Sequence, residues 1–172
     1  PLTEHPLVSK IFFTGSTTTG IAVGRAAASH AKPVSLELGG KSPTIIFADA
    51  DLEAASGGAA ESIFLNSGQI CVAGSRLYVQ KNAYDDVVNR VASLASKHVV
   101  GSSLDPATTL GPVVSRQHKA RVDGYIEAAE NDGAELISSH TVPEQGFFVA
   151  PDPSALGHAA ILTPRLVALT PA

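Results

Sequence analysis

"KIFFTGSTTTGIAVGRAAASHAKPVSLEL", Lys10–Leu38, is the stretch whose reading sets the fold class. Lys10–Thr14 is a short apolar run ending at Gly15, the pattern of a buried strand. The Ser/Thr cluster that follows can cap a helix, and the alanine-rich residues after it predict one from Thr18 to His30. Val34–Leu38 predicts a second strand, closed by Gly39-Gly40. Strand, helix and strand in immediate succession are the βαβ order of an α/β protein with at least partly parallel pairing.

The alternation continues downstream. Thr44–Ala48 predicts a third strand, and Asp51 predicts a capped helix through Leu52–Phe64, opposed by the helix-weakening pair Gly57-Gly58. Ser75–Gln80 is strand-like. Asn82 with Asp85 three positions on is close to a capping box, and the helix after it places Val87, Val88, Val91, Leu94 and Ala95 on one face. Residues 101–115 form a Pro/Gly loop. Ser115 is predicted to cap a further helix, with Val122, Tyr125, Ile126 and Ala129 on one stripe and Gly133 as its stop. "ELIS" (135–138) and "GFFVAP" (146–151) predict short strands, while residues 152–172 show no clear period and are assigned to no element. The composition changes near Lys81, which places a candidate boundary between Gly58 and Cys71.

The 172 residues are 44% hydrophobic and 16% charged, which describes a globular chain long enough for a real core. The net charge is −4 and the twelve Lys and Arg residues are scattered singly, which argues against a nucleic-acid partner. The single cysteine cannot form an internal disulfide. No run of twenty apolar residues is present, so no membrane partner is expected and a cytoplasmic, reducing setting is. The six histidines are scattered with no metal-ligand spacing, so no metal site is expected. The chain contains no methionine and opens on "PLTEHPLVSKIFF", from which we expect a piece of a longer protein.

Three stretches carry chemistry, each with two readings. In "FTGSTTTG", Phe13–Gly20, a strand end feeds a Ser/Thr-rich helix start, where free N–H groups and the helix dipole suit an anion. It is not the G-x-G-x-x-G fingerprint, and an ordinary capped turn accounts for it equally well. In "LELGGKS", Leu36–Ser42, Glu37 ends an apolar strand beside two glycines; it is either a cleft acid suited to general-base work or a strand-edge glutamate facing water. In "FLNSGQICVAGSR", Phe64–Arg76, Cys71 is either a small buried hydrophobe or a nucleophile. The polar "NSGQ" run breaks the apolar period and favours the nucleophile.

Taken in this order, the stretches resemble the NAD(P)-dependent aldehyde dehydrogenase superfamily. "FTGST" with Gly20 is similar to the family's coenzyme turn, "LELGGKSP" to its glutamate signature and "FLNSGQICVAGSR" to its cysteine signature. "LDPATTLGPVVS" is also similar to family sequences, and the resemblance runs from Leu7 to Pro151. It implies an α/β, parallel-sheet, three-layer aldehyde dehydrogenase-like fold that is incomplete here. Residues 1–40 would be the C-terminal part of a Rossmann-like coenzyme-binding domain, 41–151 part of the catalytic domain, and 152–172 a divergent tail, for which a frameshift or misjoined gene end is one hypothesis.

The resemblance further implies oxidation of a small-molecule aldehyde to a carboxylic acid with NAD or NADP. Cys71 would attack the carbonyl, passing through a thiohemiacetal and a thioester, and Glu37 would activate the hydrolytic water. The Cys71 N–H would form part of the oxyanion hole. Gly15 and Ser16 would approach the pyrophosphate, Gly20 would lie just behind them in the helix, and Leu38 and Gly39 would sit near the nicotinamide. The full-length parent would be a homodimer or homotetramer. The family's oxyanion asparagine, its ribose-binding strands, its Glu-x-Phe-Gly-Pro segment and its oligomerisation arm are not found, so the chain alone is expected to be weakly active or inactive. The competing reading is a non-catalytic remnant, or a binding or structural fragment, of the same fold. Transfer of the acyl group to coenzyme A is a further variant, against which Glu37 argues for hydrolysis.

Overall fold

The computed structural model describes residues 2–136, 141–151, 153–156 and 164–169. The chain packs as two units, Pro1–Gly40 and Lys41–Ala172.

In the first unit the apolar run becomes β1, Ile11–Gly15, the Ser/Thr-led segment becomes α1, Thr17–Ala28, and "VSLEL" becomes β2, Val34–Leu38. β1 and β2 pair in parallel, from Ile11 opposite Val34 to Gly15 opposite Leu38. The helix starts where it does because Ser16 is extended and its Oγ accepts the Thr19 N–H at 3.2 Å. α1 lies close to β2 through small residues. A Cβ on Gly20 would stand 2.5 Å from Leu38 Cδ2, and one on Gly24 would stand 3.7 Å from Leu36 Cδ1. Past the end of the helix Ala31 takes φ 51°, a left-handed position more often held by glycine. The reversal is secured by the Lys32 N–H bonding to the Ala27 carbonyl and by Lys32 Nζ donating to the His5 carbonyl at 2.6 Å.

The second unit contains β3 (Pro43–Ile46), α2 (Leu52–Phe64), β4 (Arg76–Gln80), α3 (Tyr84–Ala95), α4 (Arg116–Asn131), β5 (Glu135–Leu136), β6 (Pro153–Leu156) and β7 (Pro164–Leu169). Its sheet runs β3-β4-β7-β6-β5, with β3 and β4 parallel and the remaining pairs antiparallel. Asp51 caps α2 by accepting the N–H groups of Glu53 and Ala54, and the helix runs through Gly57-Gly58 without a break. Ala59, Ala60, Ile63 and Phe64 of α2 pack with Val87, Val88, Val91 and Ala95 of α3 and with Ile46, Leu77 and Val79 of the sheet into one core. Burial of that α3 face, which the periodicity predicts, outweighs the weak propensity of valine for helix.

Five expectations are corrected. Lys10–Thr14 forms a strand but not a buried one: no residue of β1 is buried, and Phe12 is 68% exposed. Asn82 does not cap α3: Lys81–Ala83 form a tight 3-10 turn, and Ala83 precedes the helix with no side-chain cap. Tyr125 does not join the buried stripe of α4. It is 61% exposed, and of the predicted stripe only Val122 is buried. "GFFVAP" is not a strand, because Gly146 turns the backbone at φ 122° and the segment instead meets the Val113 loop through the Val113 N–H and the Phe147 carbonyl at 2.8 Å. Within residues 152–172, left unassigned by period, β6 and β7 complete the sheet next to β4. Residues 137–140, which include the end of the predicted "ELIS" strand, lie outside the described residues.

Two substitutions test this packing by denaturant unfolding of the chain. Leu77 is fully buried. Leu77→Ala is expected to cost about 2–5 kcal/mol with an unchanged denaturant slope. Gly74 leaves α2 and β3 no space for a side chain: its Cβ would collide with the hydroxyls of Ser62 and Thr44. Gly74→Ala is expected to cost about 1–3 kcal/mol by overpacking.

Candidate functional site

In the first unit, the carboxyl ends of the two parallel strands and the N-terminus of α1 come to one edge. Gly15 ends β1 opposite Leu38 at the end of β2, and Ser16 follows Gly15 as the cap of α1. The Gly20 N–H bonds to the Ser16 carbonyl at 2.8 Å and the Thr19 N–H bonds to Ser16 Oγ. Among the described residues the Thr17 and Thr18 N–H groups meet no acceptor, as the first turn of a helix dictates. Gly20 is buried against Leu38, so its role is close packing of helix on strand and not exposure to a ligand. A Cβ on Gly39 would meet nothing within 4 Å, so the chain beyond Leu38 is open to approach. Glu37 is exposed on β2, opposite Thr14 of β1. These residues fit a dinucleotide's pyrophosphate, which needs free helix-start N–H groups beside the carboxyl ends of parallel strands.

Cys71 belongs to the second unit and is exposed, on the connection from α2 to β4. The chain leaves α2 through a left-handed turn. Asn66 (φ 53°, ψ 35°) and Ser67 (φ 56°, ψ 34°) precede Gly68 at φ 74°. A left-handed non-glycine residue costs about 1–2 kcal/mol, less for asparagine, so this turn persists only because surrounding contacts hold it. Gln69 supplies several of them. Its Oε1 accepts the Val114 N–H at 2.8 Å and its Nε2 donates to the Asn66 carbonyl at 3.1 Å. Asn66 Nδ2 donates to the Gln69 carbonyl at 3.3 Å, and Ser67 Oγ donates to the Gly111 carbonyl at 2.8 Å. On the far side of Cys71 the Ala73 N–H bonds to the Ile70 carbonyl, and the Gly74 N–H returns to the Ser62 carbonyl of α2 at 3.2 Å. Between these anchors Cys71 and Val72 stand exposed, and among the described residues the Cys71 N–H meets no acceptor.

The arrangement presents a thiol on a loop fixed at both ends, with a backbone donor at the same residue. That is the equipment of a nucleophile that generates an oxyanion. Among the described residues no group of three His, Cys, Asp or Glu could hold a metal ion, and no helix is long and apolar enough to cross a membrane. Sequence reasoning did not single out Ser67, Gln69, Gly111 and Val114. The only signal was the polar "NSGQ" run, since the partners of Ser67 and Gln69 lie 44 and 45 positions away.

A sequence model described as "Aldehyde dehydrogenase family" matches residues 1–152. A phenylacetaldehyde dehydrogenase of Pseudomonas fluorescens is 49% identical over 152 residues, covering 87% of this chain and 30% of that protein. The structure of an aldehyde dehydrogenase of Bacillus cereus in complex with NAD+ superposes with TM-score 0.82 at 42% identity, covering 87% of this chain and 31% of the other. An NADP-dependent enzyme of E. coli gives TM-score 0.83 at 41% identity, covering 88% of this chain and 32% of the other. This chain therefore spans about 30% of the length of the curated relatives it matches. With a family match over most of its residues, the chain belongs to the aldehyde dehydrogenase family.

Proposed function

We propose that the function is oxidation of an aldehyde to a carboxylic acid with NAD+ or NADP+, with Cys71 as nucleophile and Glu37 as base, and that the 172-residue chain by itself carries this out weakly or not at all. The observation that carries this reading is Cys71 itself, exposed between two anchors with its own N–H free of any acceptor among the described residues. The family and its relatives, among them an NAD+ complex and an NADP-dependent enzyme, support the reaction class.

In this scheme Cys71 Sγ, as thiolate, adds to the carbonyl carbon. A C–S bond forms and the π pair of the carbonyl moves onto oxygen, where the Cys71 N–H donates to the oxyanion. Bound NAD(P)+ would supply the two-electron acceptor for the hydride leaving this carbon, the carbon then being held on Cys71 as a thioester. The free N–H groups after Ser16 and the open backbone at Gly15 would hold its pyrophosphate, with Leu38 and Gly39 toward the nicotinamide. Glu37 then takes a proton from water as the water oxygen attacks the thioester. The C–S bond breaks, its electron pair returns to Cys71, and the acid departs.

The test is aldehyde-dependent formation of reduced coenzyme, with the acid quantified alongside. Cys71→Ala is expected to abolish both. Glu37→Gln is expected to slow steady turnover by about a hundredfold to ten-thousandfold while the first equivalent of reduced coenzyme still forms. Coenzyme reduction that is unchanged in Cys71→Ala would overturn the reading.

A further inference from the structure

We infer that Gln69 and Ser67 are positioning residues for Cys71: they tie the strained turn ahead of the thiol to the Gly111–Val114 segment and so aim its attack. This inference rests on the proposed role of Cys71 as nucleophile.

The geometry carries it in three steps. The turn at residues 66–68 is left-handed throughout, with two non-glycine members, so the backbone by itself would relax to another path. The side chains that prevent this spend their polar capacity on backbone groups. Gln69 uses both ends of its amide, on the Val114 N–H and the Asn66 carbonyl, and Ser67 donates to the Gly111 carbonyl. The segment they grip is itself fixed. Leu110 and Val113 are buried, the Gly101 N–H bonds to the Leu110 carbonyl, the Val113 N–H bonds to the Phe147 carbonyl, and Ser115 caps α4. The entry to the Cys71 loop is thus registered on buried structure remote in sequence, while its exit is registered on α2 through Gly74. A reacting thiol needs such registration because misplacement by about 1 Å can cost about a hundredfold in rate.

The experiment compares two reactions of Cys71 in the full 172-residue chain. Alkylation by iodoacetamide needs only an accessible thiolate. Acylation by p-nitrophenyl acetate also needs the thiol aimed beside an oxyanion donor. Gln69→Ala is expected to lower acylation about tenfold to a hundredfold while alkylation stays close to native. Gln69→Glu keeps an oxygen for the Val114 N–H and is expected to recover part of the lost acylation, and Ser67→Ala to show a smaller loss of the same kind. Thermal unfolding of each variant is followed in parallel. Native acylation in both Gln69→Ala and Ser67→Ala would overturn the inference, as would loss of both reactions in proportion to unfolding in both variants. A native chain whose Cys71 alkylates but does not acylate would overturn it too. Failure of the proposed function has a separate signature, coenzyme reduction that does not depend on Cys71.

Discussion

The second unit depends on one reversal. The chain must leave α2 at Phe64 and enter β4 at Arg76, beside β3 and parallel to it. The helix and strand pack through Ile63, Phe64, Leu77 and Val79, so residues 65–75 have no freedom to drift outward. Two features resolve this. A left-handed turn at Asn66–Gly68 redirects the chain at the helix end, and Gly74 lets it re-enter between Ser62 and Thr44, where any Cβ would collide. What remains between these fixed points is a short exposed tip, and Cys71 occupies it. The solution to a packing problem and the presentation of a reactive thiol are therefore one piece of structure.

The first unit solves a different problem with the same economy of space. Gly20, Gly24 and Ala27 make one side of α1 nearly flat, so β2 can approach until Leu38 touches the backbone of the helix. Close packing at that level brings the ends of β1 and β2 and the start of α1 to one edge. Helix-start N–H groups with no partner among the described residues, and a Gly39 with nothing near its Cβ position among them, follow from the connection itself. The glycine at position 20 thus packs helix on strand, behind the exposed helix start.

The elements with strong local signals were legible. Asp51 and Ser115 cap helices in the structure as their positions predict, and the predicted Ser/Thr cluster supplies Ser16 as the cap of α1, because capping is a bond between neighbours a few residues apart. The valine stripe of α3 was legible because a buried helix face must repeat at the helical period. Signals failed where distant structure overrode local preference. Asn82 lost the cap to a 3-10 turn at Lys81–Ala83. Thr44–Ala48 predicts a strand, yet β3 stops at Ile46, the one buried large residue of "TIIFA", with Ile45 at 61% and Phe47 at 62% exposure. Residues 164–169 became a strand because β4 offered them an edge to pair with, which no period within the segment announces.

By itself the sequence determined the βαβ order, the capped starts of α1, α2 and α4, the buried face of α3 and the identity of the candidate chemical groups, since each follows from contacts between near neighbours or from residue type. It carried a family resemblance in which Cys71 and Glu37 have assigned roles. Tertiary structure alone decided how Cys71 is held. The left-handed turn at Asn66 and Ser67, the grip of Gln69 on Val114 and of Ser67 on Gly111, and the return of Gly74 to α2 join residues far apart in the chain. Such bonds form only after the core has brought their partners together, and for that reason no local pattern foretells them.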